Sequence, residues 1–250
     1  MNSLAILILT KNEEENIVSV VKNAKCCADE VVIIDSGSTD NTVELAEAHG
    51  ARVCYRTWDN DFSAQRNFGL TQTDADWVLY LDADERLNNE LIEAIMSVLS
   101  TGELNTQYAI TRKSVAFGIM FNHGVLQPDR VLRMFPRTSV KWVYKVHEHP
   151  ECSLAEKRLS GYIEHYTYRD WREWEEKLCL YTAIWANDAL KRGKRTSLPG
   201  ILIHSIGGFY KMFFLRKGFL DGWLGSYLCC AHFTYTMLKY LKLYELQRKN

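Results

Sequence analysis

The 250-residue sequence predicts an α/β fold, a mostly parallel sheet flanked by helices, followed by a helical extension. Three observations predict it. Short apolar runs alternate with amphipathic helical patterns through the first hundred residues. Three of those runs end in polar, mostly acidic segments, where the ligands of open parallel sheets bind. The last sixty residues then change character and become basic and aromatic.

The elements follow in order. Residues 4–9 form a continuous apolar run, as expected of a strand buried on both faces. Asn12 is placed to cap the next helix, whose first turn holds Glu13, Glu14 and Glu15 at the positive end of the helix dipole. Ile17, Val20, Val21 and Ala24 recur at helical spacing and mark its buried face. A second strand over 31–34 leads into Asp35. A second helix starts near 39–41 and stops at Gly50, a residue suited to the position after a helix end. Residues 52–55 read as a third strand, 63–70 as a short helix, and 77–81 as a fourth strand ending at Asp82.

The chemistry gathers at the strand ends: Thr10-Lys11-Asn12-Glu13, Asp35-Ser36-Gly37-Ser38-Thr39-Asp40, and Asp82-Ala83-Asp84-Glu85. Singly, each is as well explained by a helix cap or a turn. Three at equivalent places are not. The dinucleotide fingerprint GxGxxG and the phosphate loop GxxxxGK[ST] are both absent. Two carboxylates in Asp82-Ala83-Asp84, at the end of a buried strand, suit Mg²⁺ or Mn²⁺ held together with substrate phosphates.

Together with Arg66-Asn67-x-Gly69, these blocks stand in an order that resembles glycosyltransferase family 2 and its GT-A fold, a Rossmann-like nucleotide-diphospho-sugar transferase architecture. The resemblance implies a nucleotide-sugar site in which Asp35 binds the base, with Thr10, Asn12, Glu13 and Asp40 lining the pocket. It implies that Arg66 and Asn67 help to hold the nucleotide, that Asp82 approaches the ribose or the metal, and that Asp84 is a direct ligand of a divalent cation. Family 2 enzymes invert the anomeric carbon and need a base beside the acceptor hydroxyl. Many members carry it in a Glu-Asp pair, which the second half of this sequence lacks. The substitute is Val146-His147-Glu148-His149, with Glu148 as the expected base and His147 as a further metal ligand or an alternative base. His123, Arg130 and Arg133 are expected to face the acceptor, the arginines either gripping a phosphate or forming surface ion pairs.

His123-Gly124-Val125, Arg133-Met134-Phe135-Pro136-Arg137 and Lys217-Gly218-Phe219-Leu220-Asp221-Gly222 extend the likeness to the lipopolysaccharide core β-1,4-glucosyltransferases of Gram-negative bacteria. That resemblance implies UDP-glucose as donor and an inner-core heptose as acceptor. The same fold acting on another lipid-linked or peptide acceptor, or a binding protein that has lost catalysis, are the other readings.

Composition bears on the partners. The net charge of −1 hides an asymmetry: residues 191–250 carry eleven Lys and Arg against Asp221 and Glu245, a surplus of nine. They also hold eleven of the thirty aromatic residues. Cations with interfacial rings suit an anionic membrane surface. With no nucleic-acid-binding motif beside the charge, nucleic acid is not expected. Division into a transferase domain over 1–190 and a membrane-associating helical extension over 191–250 follows. No run of about 18 uninterrupted apolar residues occurs, so a membrane span is not expected. The stretch 198–215, broken by Lys211 and Gly207-Gly208, reads as a helix or helical hairpin lying on the membrane. Seven cysteines without metal-like spacing read as reduced thiols, and the chain is expected on the cytoplasmic face of the inner membrane.

Overall fold

The computed structural model describes residues 1–101, 103–145 and 148–249. The chain forms two compact units: unit 1 takes in 1–112 and 129–165, unit 2 takes in 113–128 and 166–250. The basic, aromatic segment expected over 191–250 lies wholly in unit 2. The helix before it belongs to the same unit rather than to the sheet domain.

Strands β1 (Leu4–Thr10), β2 (Glu30–Asp35), β3 (Arg52–Tyr55) and β4 (Trp77–Asp82) lie in the spatial order β3-β2-β1-β4 and are all parallel. The sheet continues from β4 through β8 (Asp129–Pro136), β6 (Thr106–Ala116), β11 (Ala155–Tyr168) and β5 (Glu85–Leu87). The β4–β8, β8–β6 and β11–β5 pairs are antiparallel. A separate hairpin joins β9 (Lys141–Val143) to β10 (His149–Glu151).

The chain leaves β1 for β2 and β3 on one side and returns to β4 on the other, so β1 is the switch point of the sheet. Ligands of such sheets bind at that point, beyond the carboxyl ends. Register fixes what meets there: Thr10 pairs with Asp35, and Leu9 with Asp82.

Strand periodicity explains the core. Leu4, Ile6 and Ile8 face α1 (Glu14–Ala24) and α4 (Asn89–Thr101), where the expected Ile17, Val20, Val21 and Ala24 are all fully buried. Ala5 and Leu7 face the other way, into a cluster with Tyr80, Phe135 and Trp142, against which Phe68 of α3 (Phe62–Leu70) packs. Helix α2 (Thr42–Ala48) ends before Gly50, whose φ of +80° is the left-handed turn expected there.

Asn12 does not cap α1. Its φ is +56° and the position before the helix is Glu13, with no side-chain cap of its own. The cap comes from across the cleft: Asp40 accepts from the Glu14 amide at 3.2 Å, and the Thr42 hydroxyl accepts from the Glu13 amide at 2.7 Å. Local capping rules could not see a donor–acceptor pair that the parallel sheet brings together.

Unit 2 is largely helical, with α5 (Trp171–Lys191), α6 (Leu198–Tyr210) and α7 (Gly222–Lys249), and a short strand β7 (Ile119–Met120) paired with the end of β6. Gly124 (φ +66°) approaches so closely that a Cβ there would lie 2.8 Å from the Gly218 Cα. The 198–215 stretch is no hairpin: α6 runs directly into a π turn, Lys211–Leu215. By length and composition this 18-residue helix is apolar enough to cross a membrane, and little of it is buried within the protein. All seven cysteines are free thiols.

Candidate functional site

Two of the acidic strand ends serve each other. Asp35, 3% exposed, accepts from Thr10 Oγ1 (3.2 Å), from the amides of Gly37 and Ser38 (2.8 and 2.9 Å) and from Ser38 Oγ. The carboxylate thus folds the 36–38 turn around itself. Asn12 Oδ1 accepts from the Thr39 amide at 2.8 Å, and the Asn12 amide donates to Ser38 Oγ at 2.9 Å, so the loops after β1 and β2 are laced together. Asp40 joins the starts of α1 and α2. Burial works against its ionisation, but the hydroxyl and amide of Thr42 and the Glu14 amide hold its carboxyl below the usual range. The Glu13 carboxylate accepts from the Asn16 side-chain Nδ2 at 2.8 Å. The strained or bonded backbone here is a preformed rim at the switch point.

The third strand end is built from charge. Asp82 meets Arg133 at 2.7 Å and Arg66 at 3.2 Å. Glu85, fully buried, meets Arg133 at 3.0 Å and Arg112 at 3.4 Å, and accepts from the Asp82 amide at 2.9 Å. Arg112 in turn pairs with Asp129 at 2.7 Å, directly opposite it in the β6–β8 register. Against the cost of burial, the Arg133 and Arg66 guanidiniums hold the Asp82 carboxyl far below the usual carboxylate range. Burial pushes the Glu85 carboxyl up, and Asp82 beside it adds to this against the pull of Arg133.

Arg66 links this network to the expected base. It donates to Glu148 Oε1 from Nε and Nη2, both at 3.4 Å, while its guanidinium lies 4.7 Å from the Trp142 ring centroid. Arg66, Asp82, Arg112, Arg133, Trp142 and Glu148 line one cavity of about 260 Å³. Arg66 Nη1 and Arg133 Nε are buried there with no hydrogen-bond partner among the described residues. Asn67 is turned elsewhere: its amide donates to the Trp142 carbonyl at 2.8 Å and accepts from the Trp142 amide at 2.9 Å. Through these two bonds Asn67 ties α3 to the Trp142 backbone beneath Arg66.

Asp84 differs from Asp82. It lies outside the arginine network, and its Oδ2 is 3.2 Å from His165 Nε2. Pairing of β11 with β5 brings that histidine in, since His165 stands opposite Glu85. His147 lies outside the described residues. Among the described residues no three His, Cys, Asp or Glu side chains gather as a ready-made metal cluster. Asp84 with His165 nonetheless fits a divalent ion of the kind that takes one or two protein ligands and completes its shell on substrate phosphates. Arg66, Arg112 and Arg133 are already matched by Asp82, Asp129 and Glu148 with Glu85 set aside, and Asp84 is a carboxylate beyond that balance.

The expected acceptor group divides. The β6–β8 register passes from Leu132 to Met134, so Arg133 is the extra residue of an irregularity in β8 and is not placed by simple alternation. Arg133 is 5% exposed and belongs to the acidic network, whereas Arg130 is a surface residue 3.8 Å from Glu156. Of the two roles open to the arginines, Arg130 shows the ion pair. His123 is in unit 2, where Nδ1 lies 2.8 Å from Asp221 Oδ1 and its amide donates to Oδ2 at 2.7 Å. Glu85, Arg112, Trp142 and His165 are the site residues that the sequence reading missed.

The family model described as glycosyl transferase family 2 matches residues 5–153. An uncharacterized glycosyltransferase of Rickettsia typhi is 26% identical over 262 residues, covering 100% of this chain and 89% of the relative. The lipopolysaccharide core biosynthesis glycosyltransferase LpsC of Rhizobium meliloti is 26% identical, covering 97% of this chain and 92% of LpsC. Among solved structures, glucosyl-3-phosphoglycerate synthase from Mycobacterium tuberculosis, in complex with Mn²⁺, UDP and glucosyl-3-phosphoglycerate, is similar at a TM-score of 0.45 and 21% identity, with 78% and 82% of the two chains covered.

Proposed function

The chain belongs to glycosyl transferase family 2, and we propose that it is an inverting enzyme that moves glucose from UDP-glucose to an inner-core heptose of lipopolysaccharide. The observation that carries the reading is the single cavity joining Asp82, Arg66 and Glu148 at the carboxyl end of β4. The relation to LpsC over nearly the whole chain supports the acceptor.

In this scheme the rim formed by Thr10, Asn12, Asp35 and Asp40 receives the nucleotide. Asp84 and His165 would hold the divalent cation, which when bound supplies neutralisation of the departing diphosphate. Glu148, oriented by Arg66, takes the proton of the acceptor hydroxyl. The acceptor oxygen bonds to the anomeric carbon from the face opposite the diphosphate, the carbon–oxygen bond to the diphosphate breaks, and UDP leaves. The buried donors Arg66 Nη1 and Arg133 Nε face developing negative charge in that cavity. Asn67 and Trp142 position Arg66 and make no contact with the donor.

The enzyme works at the cytoplasmic face of the inner membrane, held peripherally. Support comes from the surplus of nine positive charges in 191–250 and from exposed Ile203, Leu215 and Trp223, each more than half open to solvent.

The test is UDP-glucose binding and slow hydrolysis, with and without Mn²⁺, for the wild type, Asp84→Ala and Glu148→Gln. Asp84→Ala should abolish the Mn²⁺-dependent part of both. Glu148→Gln should bind UDP-glucose normally while transfer to a core acceptor falls by about 10²–10⁴-fold. Unchanged turnover in Glu148→Gln moves the base elsewhere, and failure of the wild type to bind any UDP-sugar overturns the donor assignment.

A further inference from the structure

A second cavity, of about 200 Å³, lies within unit 2 between α5 and α7. Its floor is apolar and closed: Leu126, Leu228 and Ala231 are each less than a tenth exposed. Rings of Trp174, Tyr181 and Tyr235 make the walls, and the rim opens where Tyr181 is 48% exposed. Leu180 and Ile184 flank that rim on α5 and are themselves 55% and 48% exposed. Filled with water, a space of this size would hold several molecules at about 30 Å³ each, every one needing two to four polar partners. A few phenol hydroxyls, an indole and an imidazole cannot supply them. The lining asks for hydrocarbon.

One side of the cavity carries charge. His232 forms part of the wall, and Lys239 Nζ lies 5.0 Å over the ring of Tyr235 beside it. Burial first, then the charges of Lys239, Arg216 and Lys211, push the His232 imidazole down to about 4; α6, which leads into Lys211 and Arg216, packs on the same ring, since a Cβ on Gly208 would lie 3.5 Å from His232 Cδ2. Glu173, on the Tyr168 side, is already paired with Lys177 at 2.9 Å. A narrow apolar slot with cations at one side matches a hydrocarbon chain bearing an anionic head. A second copy of the chain would bring another surplus of nine positive charges to the same surface, which argues against it as occupant. Trp171 lies between Trp174 of the cavity wall (6.0 Å) and Tyr227 (5.2 Å), which is exposed, so aromatic surface continues outward from the slot.

We propose that this cavity binds one acyl chain of an anionic membrane lipid, with the lipid phosphate held near His232 by Lys211, Arg216 and Lys239. The inference goes beyond peripheral attachment, because it assigns a built site for a single lipid, and it is independent of the sugar and acceptor since no substrate enters its test.

The experiment is titration calorimetry on the full chain with decyl phosphate below its micelle concentration. Decyltrimethylammonium serves as the same chain with the opposite charge, and inorganic phosphate as the head alone. Decyl phosphate should bind at least about tenfold tighter than either. Ala231→Phe, which fills the floor, should weaken it by about tenfold or more. Arg216→Gln with Lys239→Gln should erase the preference over decyltrimethylammonium while leaving chain binding. Should Ala231→Phe fail to melt cooperatively, Leu178→Trp fills the same space from α5. Undiminished binding in a folded, filled variant overturns the site. Equal binding of decyltrimethylammonium overturns the anionic head. A dimer in sedimentation that Ala231→Phe dissociates would make a second copy the occupant instead.

Discussion

Unit 1 places charge where a core is expected, and unit 2 places apolar side chains where a solvated surface is expected. In unit 1, Glu85 is fully buried and Arg66, Arg133 and Asp35 are each about 95% buried. In unit 2, Trp223 is 73% exposed, Ile203 67% and Leu215 66%. Either inversion is unfavourable for folding alone. They are tolerated for different reasons. The buried charges of unit 1 are held by polar partners, Asp82 and Glu85 by arginines and Asp35 by the Thr10 hydroxyl and the 37–38 amides. The exposed apolar side chains of unit 2 turn most of their surface to solvent, which the proposed membrane attachment would cover. Perturbing the first should therefore appear as lost stability, and perturbing the second as lost association.

The sharpest way to break that contrast is Arg133→Met. It removes the shared partner of Asp82 and Glu85 and leaves two carboxylates in a poorly hydrated pocket, which costs about 3–5 kcal/mol when a buried pair is broken. Urea unfolding should show a loss of that order. Trp223→Ser, in contrast, should change stability by no more than about 0.5 kcal/mol. Its effect should be on partition to phosphatidylglycerol vesicles, which should weaken. If Arg133→Met unfolds like the wild type, the unit 1 network is hydrated and contributes little. If Trp223→Ser destabilises the fold, its ring is part of the core.

A smaller effect separates positioning from binding inside unit 1. Asn67→Ala removes both hydrogen bonds to the Trp142 backbone and leaves buried groups unpaired, a cost of about 1–3 kcal/mol. Its UDP-glucose affinity should stay near wild type while turnover drops, because Trp142 supports Arg66 and Arg66 orients Glu148. A parallel loss of affinity would return Asn67 to the nucleotide pocket.

What the sequence made legible follows from range. Three of the four parallel strands are continuous apolar runs, and all four fall where the pattern put them, within a residue or two. The buried face of α1 is local periodicity and was equally plain. Asp35, Asp82 and Asp84 stand out because a strand end is itself a local feature. What stayed hidden depends on antiparallel pairing between distant segments. Arg112 meets Asp129 only through the β6–β8 register, and His165 meets Asp84 only because β11 returns beside β5. A lone histidine gives no sign of that return. The long half-apolar stretch 155–168, read as an antiparallel strand, would have been the signal. The boundary expected at 190 reflects the same limit: charge changes abruptly there, but α5 packs with α7, and packing draws the compact unit earlier.

The smallest expected effect concerns a half-buried imidazole of unit 2. His232 lines the α5–α7 cavity, stacks on Tyr235 at 5.7 Å, and is faced by Lys239 of α7, Lys211 of the π turn and Arg216 after it. Burial and these cations lower its pKa from 6.5 to about 4 in the folded chain. The unfolded chain therefore binds one more proton than the folded chain between those two values. Stability must then fall as pH drops through that window and is unaffected by this group above it. Melting temperatures taken at about pH 7.5, 5.5 and 4.5 should decline for the wild type, and His232→Gln, which keeps a polar side chain without a titration, should flatten part of the decline. An identical decline in both proteins would mean that His232 charges freely in the fold, with the cavity wall open to water. A flattened profile would locate this pH sensitivity in unit 2 and complete the contrast between the two.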